Sequence, residues 1–283
     1  MSLRLMYITN NPKIAAVAQG SGVDRIFVDM EYIGKEERQA GMNTVKCHHT
    51  YQDIQNISAV TKGGASQLLV RVNPMHDASK EYCSSKEEIE TAISSGADII
   101  MLPMFKTCAE VEKFLDIAHG KVKTMLLLET KEAAEQIDDI IAIGGFDELH
   151  IGLNDLHLSY GRKFMFELLA DGTVDRLAER LNVNNVTFGF GGIARIGYGM
   201  LPAEYIIAEH YRLNSKAAIL SRSFCNADKI DNVDEIYPIF SEGIEKIRDF
   251  ERKLSSFTTK DYNDNHKTVM SIVDKIVGEL NGR

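Results

Sequence analysis

Residues 123–130 read KTMLLLET and residues 148–161 read ELHIGLNDLHLSYG. Each holds a short apolar run, residues 125–128 and 149–151, that ends at a carboxylate or leads into one: Glu129 in the first, Asp155 in the second. Apolar runs of this length between turn residues read as strands buried on both faces, as in a parallel sheet. A carboxylate at the end of such a strand is poor packing material and a good ligand for a hard cation. Residues 131–143 between them carry a helical pattern that stops at Gly144-Gly145. The unit is strand, helix, strand.

The same unit repeats outward in both directions. Upstream, residues 3–8, 26–30, 67–72 and 98–102 are apolar runs of strand length. Asn11 before Pro12 predicts a helix start after the first run. A polar loop over residues 33–50 precedes a helix over 51–62. Ser85 with Glu88, and Thr107 with Glu110, read as capping boxes opening the next two helices. Downstream, residues 164–181 are helical with a break near Asp171-Gly172, residues 186–190 form a seventh run ending in Gly191-Gly192, a helix spans 202–213, and residues 217–221 form an eighth. Eight strands, nearly all followed by helices, predict an α/β fold, a (β/α)8 TIM barrel with extra C-terminal helices. A doubly wound sheet is disfavoured because no glycine-rich phosphate fingerprint follows the first strand. Residues 1–230 are expected to form the barrel. Residues 231–283 are read as helices of the same domain that could pack on a neighbouring subunit, so a homo-oligomer is expected.

Length, 283 residues, suits one such domain. The net charge of −9 and the lack of a Lys/Arg run argue against nucleic acid or an anionic membrane as partner. No apolar run is long enough to span a bilayer, and no leader pattern opens the chain. Four scattered cysteines without CxxC spacing point to reduced thiols and a cytoplasmic location.

In a barrel of this kind chemistry gathers at the C-terminal strand ends. Those ends supply Asp29 and Glu31, Arg71 and Asn73, Glu129, Asp155, Arg195, and Ser221 with Arg222. Carboxylate oxygens suit Mg²⁺ or Mn²⁺, and a guanidinium grips a substrate carboxylate through two parallel hydrogen bonds. Together they describe a site for a small 2-oxo acid. Plainer roles stand beside these: the carboxylates could cap helices, Arg71 could be a structural ion-pair partner, and His150, inside a strand, is most simply a satisfied core residue.

The segments FVDMEY (27–32), LLVRVNP (68–74), IIMLPMF (99–105), MLLLET (125–130) and IGLNDLHLSYG (151–161) together resemble the successive strand ends of the HpcH/HpaI aldolase/citrate lyase family. The resemblance runs from about residue 4 to about 226. It implies a carbon–carbon lyase that forms a pyruvate-like enolate, with Glu129 and Asp155 as ligands of Mg²⁺ or Mn²⁺. It also implies that Arg71 binds the carboxylate and stabilises the enolate oxygen, with Leu153 and Asn154 lining the substrate. Asp29, Glu31 and Tyr32 are the remaining catalytic candidates, and Arg195 and Arg222 the candidates for the distal part of the substrate. One position departs from the aldolase branch: Tyr32 stands where a histidine is expected, and a phenol is a poor base at neutral pH. His48 and His49, in the following loop, could supply the missing group. The competing readings are a CoA-ester lyase of the citryl or malyl type and, from another class, a barrel that binds or assembles without catalysis.

Overall fold

The computed structural model describes residues 2–35, 49–230 and 232–282, with Asp228 described by its backbone alone. Eight parallel strands close on themselves in sequence order: β1 (Arg4–Ile8), β2 (Arg25–Asp29), β3 (Gln67–Arg71), β4 (Ile99–Leu102), β5 (Lys123–Leu128), β6 (Glu148–Ile151), β7 (Thr187–Ile193) and β8 (Ala217–Leu220). The expected (β/α)8 barrel is what forms, with helices between the strands and two long helices after β8.

Strand alternation divides the core in two. Met6, Phe27, Leu69, Met101, Met125 and Leu127 point inward and pack as one cluster inside the barrel. The opposite faces of the same strands bury Leu5, Val28, Val70, Leu102, Leu126 and Ile151 against the helices. Below the inner cluster a buried ion pair plugs the barrel. Arg25, 1% exposed, donates Nη1 and Nη2 to Glu148 at 2.8 and 2.6 Å, and Arg4 adds a third bond at 2.6 Å. The end nearest the chain's N-terminal strand ends is therefore closed, and the opposite end holds the open cavity.

Local chemistry sets the helix starts. Asn11 caps Pro12–Gly20 as expected, and Thr107 with Glu110 caps Cys108–Ala118. The helix Ser85–Ser94 opens one residue earlier than expected, on a box of Ser84 and Glu87. Two adjacent serines each have a glutamate three residues on, and the one whose partner can stay in water wins. Glu88 is then freed to face inward, where it accepts bonds from Asn73 N and Nδ2 at 3.0 and 2.8 Å. The expected single helix over 131–143 is two pieces, Lys131–Glu135 and Ile137–Ile143, hinged at Gln136, whose φ of −102° and ψ of 21° leave the helical region.

The sequence places the two C-terminal helices at about 234–257 and 265–280; they form at Val233–Leu254, ending slightly sooner, and at Thr259–Asn281, starting about a turn and a half earlier on a capping box of Thr258 and Asp261. The first packs on Pro12–Gly20 and the second on Ala203–Arg212 and Glu167–Ala170. Ile236, Phe240, Ile244, Ile247, Val269 and Val273 join the outer core of this same chain. A buried polar anchor fixes the second helix: Glu209, fully buried, accepts from Arg212, Asn265 and His266 at 2.7–2.9 Å.

Candidate active site

A cavity of about 650 Å³ opens at the C-terminal strand ends. Its charged side is built on β2, β3 and β5. Asp29, 2% exposed, accepts Arg71 Nε on Oδ1 and Arg71 Nη2 on Oδ2, both at 2.8 Å. Lys35 Nζ adds a third bond to Oδ2 at 2.7 Å. Glu31 Oε2 lies 3.3 Å from Arg71 Nη2 and 3.9 Å from Lys35 Nζ. Burial alone would raise the Asp29 carboxyl, but the Arg71 and Lys35 charges and hydrogen bonds outweigh it and hold it well below the usual carboxylate range. Burial by itself would lower Arg71; Asp29 and Glu31 outweigh that and keep it firmly cationic. The guanidinium plane is thus fixed from behind, with its rim turned toward the cavity it lines.

Glu129 follows β5 and is 3% exposed. Its Oε1 accepts the backbone N–H of Met104 at 3.0 Å. Met104 has φ of 53°, an uncommon conformation for a residue with a side chain, and it aims that N–H at the carboxylate. On the other flank a Cβ on Gly152 would lie 2.9 Å from Glu129 Oε2, so only glycine leaves the carboxylate its place. Asp155 stands in the first turn of the helix Leu153–Ser159 rather than at the strand end itself, half-buried and lining the same cavity. Burial, then the neighbouring Glu31 and Asp155 charges, push Glu129 well above the usual carboxylate range, with Arg71 only partly opposing them.

Four carboxylates here face two cations, Arg71 and Lys35, so the fully ionised cluster carries two excess negative charges. That is the charge of one divalent cation. Among the described residues no group of three or more His, Cys, Asp or Glu converges as a complete metal cage. Two carboxylates with open positions for water and substrate oxygens is the manner in which Mg²⁺ is usually held. Glu129 and Asp155 therefore fit a hard divalent ion by donor type and by charge.

The remaining sequence candidates fall in different places. Leu153 and Asn154 line the cavity beside Asp155, and Arg222 lines it on the β8 side. Arg195 does not; its guanidinium stacks 4.4 Å over the ring of Tyr198 and lines a second, adjoining pocket. Tyr32 turns away from the cavity, 38% exposed, with its ring 5.4 Å from that of Tyr82. Its backbone N–H and that of Ile33 both donate to Asn73 Oδ1 at 2.9 Å. Burial and the Glu88 charge push its phenol up. His48 lies outside the described residues. His49 lines the cavity and accepts the backbone N–H of Asp29 on Nδ1 at 2.9 Å, so the neutral ring carries its proton on Nε2. In that tautomer it donates rather than accepts.

Two residues differ from their sequence reading. Lys35 had no signal, because it lies past the second strand in a stretch without periodicity; only the fold shows its ammonium, 5% exposed, among the carboxylates. His150 is buried at the cavity floor, with Nε2 3.2 Å from Gly191 O, yet Nδ1 has no hydrogen-bond partner. Burial lowers it to about 4, so it is neutral near pH 7.

Comparison with known proteins agrees with this architecture. The family model described as HpcH/HpaI aldolase/citrate lyase matches residues 4–165. An HpcH/HpaI aldolase from Desulfitobacterium hafniense DCB-2 superposes with a TM-score of 0.60 at 15% identity, covering 87% of this chain and 93% of that one. An HpcH/HpaI aldolase/citrate lyase family protein from Burkholderia cenocepacia J2315 gives 0.60 at 14% identity, covering 83% and 95%. The citrate synthase SbnG gives 0.60 at 16% identity, covering 89% and 95%. No curated protein matches by sequence. At these identities the likeness of the structures is one of fold.

Proposed function

We propose, from the premise that this chain belongs to the HpcH/HpaI aldolase/citrate lyase family, that it is a divalent-metal-dependent carbon–carbon lyase acting on a 2-oxo acid. The family assignment places it among lyases and aldolases with a small-molecule substrate. The observation that carries the finer reading is the convergence on one cavity of a carboxylate-braced Arg71 with the Glu129 and Asp155 pair.

Arg71 binds the substrate carboxylate and the adjacent oxygen that becomes negative as the carbon–carbon bond breaks. Asp29 and Glu31 hold its plane, so no reorganisation is needed as charge develops. Glu129 and Asp155 hold Mg²⁺ or Mn²⁺, which when bound supplies Lewis-acid stabilisation of the same oxyanion. Leu153 and Asn154 wall the substrate from the β6 side. Lys35 and His49 present N–H donors to the cavity from the β2 side. Tyr32, whose ring faces away from the cavity, has a positioning role in this reading: its backbone N–H and that of Ile33 tie the turn after β2 to Asn73.

Proton exchange of the pyruvate methyl group in D₂O, followed by NMR with Mg²⁺ or Mn²⁺ present or chelated, tests the reading. Exchange that needs both protein and metal is the expected result. A barrel that only binds or assembles gives none, and exchange that survives full chelation refutes the metal role.

A further inference from the structure

Glu88 stands on the helix Ser85–Ser94 and does not line the cavity, yet it is 3% exposed. Its Oε1 takes both donors that Asn73 offers, the backbone N–H at 3.0 Å and Nδ2 at 2.8 Å. Its Oε2 is buried without a hydrogen-bond partner. Half of a buried carboxyl group left unpaired is costly to the fold. What the other half does is fix the direction of one amide.

The two edges of an asparagine amide have nearly the same shape, so hydrogen bonds alone decide which edge faces which way. With Nδ2 turned to Glu88, Asn73 Oδ1 faces the turn after β2 and accepts the N–H groups of Tyr32 and Ile33, both at 2.9 Å. The opposite orientation would set the amide NH₂ against two N–H donors and its oxygen against a carboxyl oxygen. Asn73 is 1% exposed, so water does not mend such a mismatch. The turn held in this way lies between Glu31 and Lys35. Glu31 Oε2 is 3.3 Å from Arg71 Nη2, and Lys35 Nζ is 2.7 Å from Asp29 Oδ2. Continuous hydrogen bonds and ion pairs therefore join an outer helix to the guanidinium at the cavity.

We propose that Glu88 is a positioning residue for the chemistry at Arg71. It sets the Asn73 amide, the amide sets the turn after β2, and the turn sets where Glu31 and Lys35 meet Arg71 and Asp29. The inference rests on the lyase reading only for the reaction that these groups serve. The role requires an acceptor at this reach and not a charge, so a neutral oxygen in the same place performs it equally well.

The test compares Glu88→Ala with Glu88→Gln in the full chain by two readouts: hydrogen exchange at the Tyr32 and Ile33 amides, and metal-dependent methyl exchange of pyruvate. Glu88→Ala is expected to lose about tenfold or more of the protection at those amides. It is also expected to slow methyl exchange at saturating pyruvate about 10- to 100-fold. The half-saturating pyruvate concentration should change little, because Arg71 keeps its two bonds to Asp29. Glu88→Gln is expected to match the wild type in both readouts, since its amide oxygen accepts the same two bonds. Should Glu88→Ala fail to fold, Glu88→Asp, with its carboxylate one methylene short of Asn73, is expected to show the same losses. Unchanged amide protection in the shortened variant overturns the proposal. So does a Glu88→Gln as impaired as Glu88→Ala, or lost protection with methyl exchange at the wild-type rate. A wild type that exchanges no methyl protons defeats the lyase reading instead; protection lost in Glu88→Ala and kept in Glu88→Gln then still upholds the link from Glu88 to the turn.

Discussion

Chelation of divalent ions should make the protein less stable as pH rises, and the acid cluster says why. Glu129 ionises with difficulty because it is buried beside Glu31 and Asp155. Its proton affinity in the folded chain is above the ordinary value of 4.5, so between that pH and its folded value the native state holds more protons than the unfolded one. Stability from this group is fully present below about 4.5 and is lost as pH climbs through the folded value. A divalent cation replaces the proton, so its stabilising effect should grow with pH. At a hundred times its dissociation constant a ligand adds about 2.7 kcal/mol. The unfolding entropy of a chain this long is about 0.6 kcal/mol/K, which converts that gain to about 4–5 °C in Tm. Scanning calorimetry between pH 5 and 8, with EDTA or Mg²⁺, measures both. A Tm increment that is the same at pH 5 and pH 8, or one that survives in Glu129→Gln, refutes the reasoning.

Other perturbations reach separate parts of the molecule. Glu148→Ala strands the buried Arg25 guanidinium and should cost about 3–5 kcal/mol, lowering Tm by about 5–8 °C in a thermal melt. Arg71→Lys keeps the charge but loses the braced fork, and should lower kcat for aldol cleavage about 10²- to 10³-fold with the melt little changed. Gly152→Ala drives a methyl against Glu129 Oε2, and should abolish the Mg²⁺-dependent rise in Tm while the chain still folds. Glu209→Ala removes the shared partner of Arg212, Asn265 and His266, and should expose the helix Thr259–Asn281 to limited proteolysis before the barrel is cut.

The strands were legible because strands buried on both faces are written as unbroken apolar runs. Glu129 and Asp155 stood out as candidates because each follows such a run closely, and the structure brings both to the cavity. What could not be read depended on contacts distant in sequence. Ser84 and Ser85 offer equivalent caps until Asn73 arrives to bind Glu88. The hinge at Gln136 carries neither glycine nor proline. Lys35 shows its role only when β3 brings Arg71 to the same carboxylate. Arg195 and Arg222 follow neighbouring strands and look alike as strand-end cations, but Arg195 is drawn aside by the Tyr198 ring and Arg222 is not.

The seventh strand bears on what this scaffold could be made to accept. Gly191 and Gly192 face the cavity from β7, so part of its wall is bare backbone. At Gly191 the φ of 51° and the nearness of Leu153 leave no room for a methyl group, whereas at Gly192 the nearest atoms, Ile219 O and Ser221 Cβ, lie 3.4 and 3.6 Å from where one would go. One wall position can therefore be furnished without touching any charged group. Residues of graded size at Gly192 would act as a ruler for the bound molecule, and a change in substrate preference selected there would leave the ionic machinery across the barrel as it was.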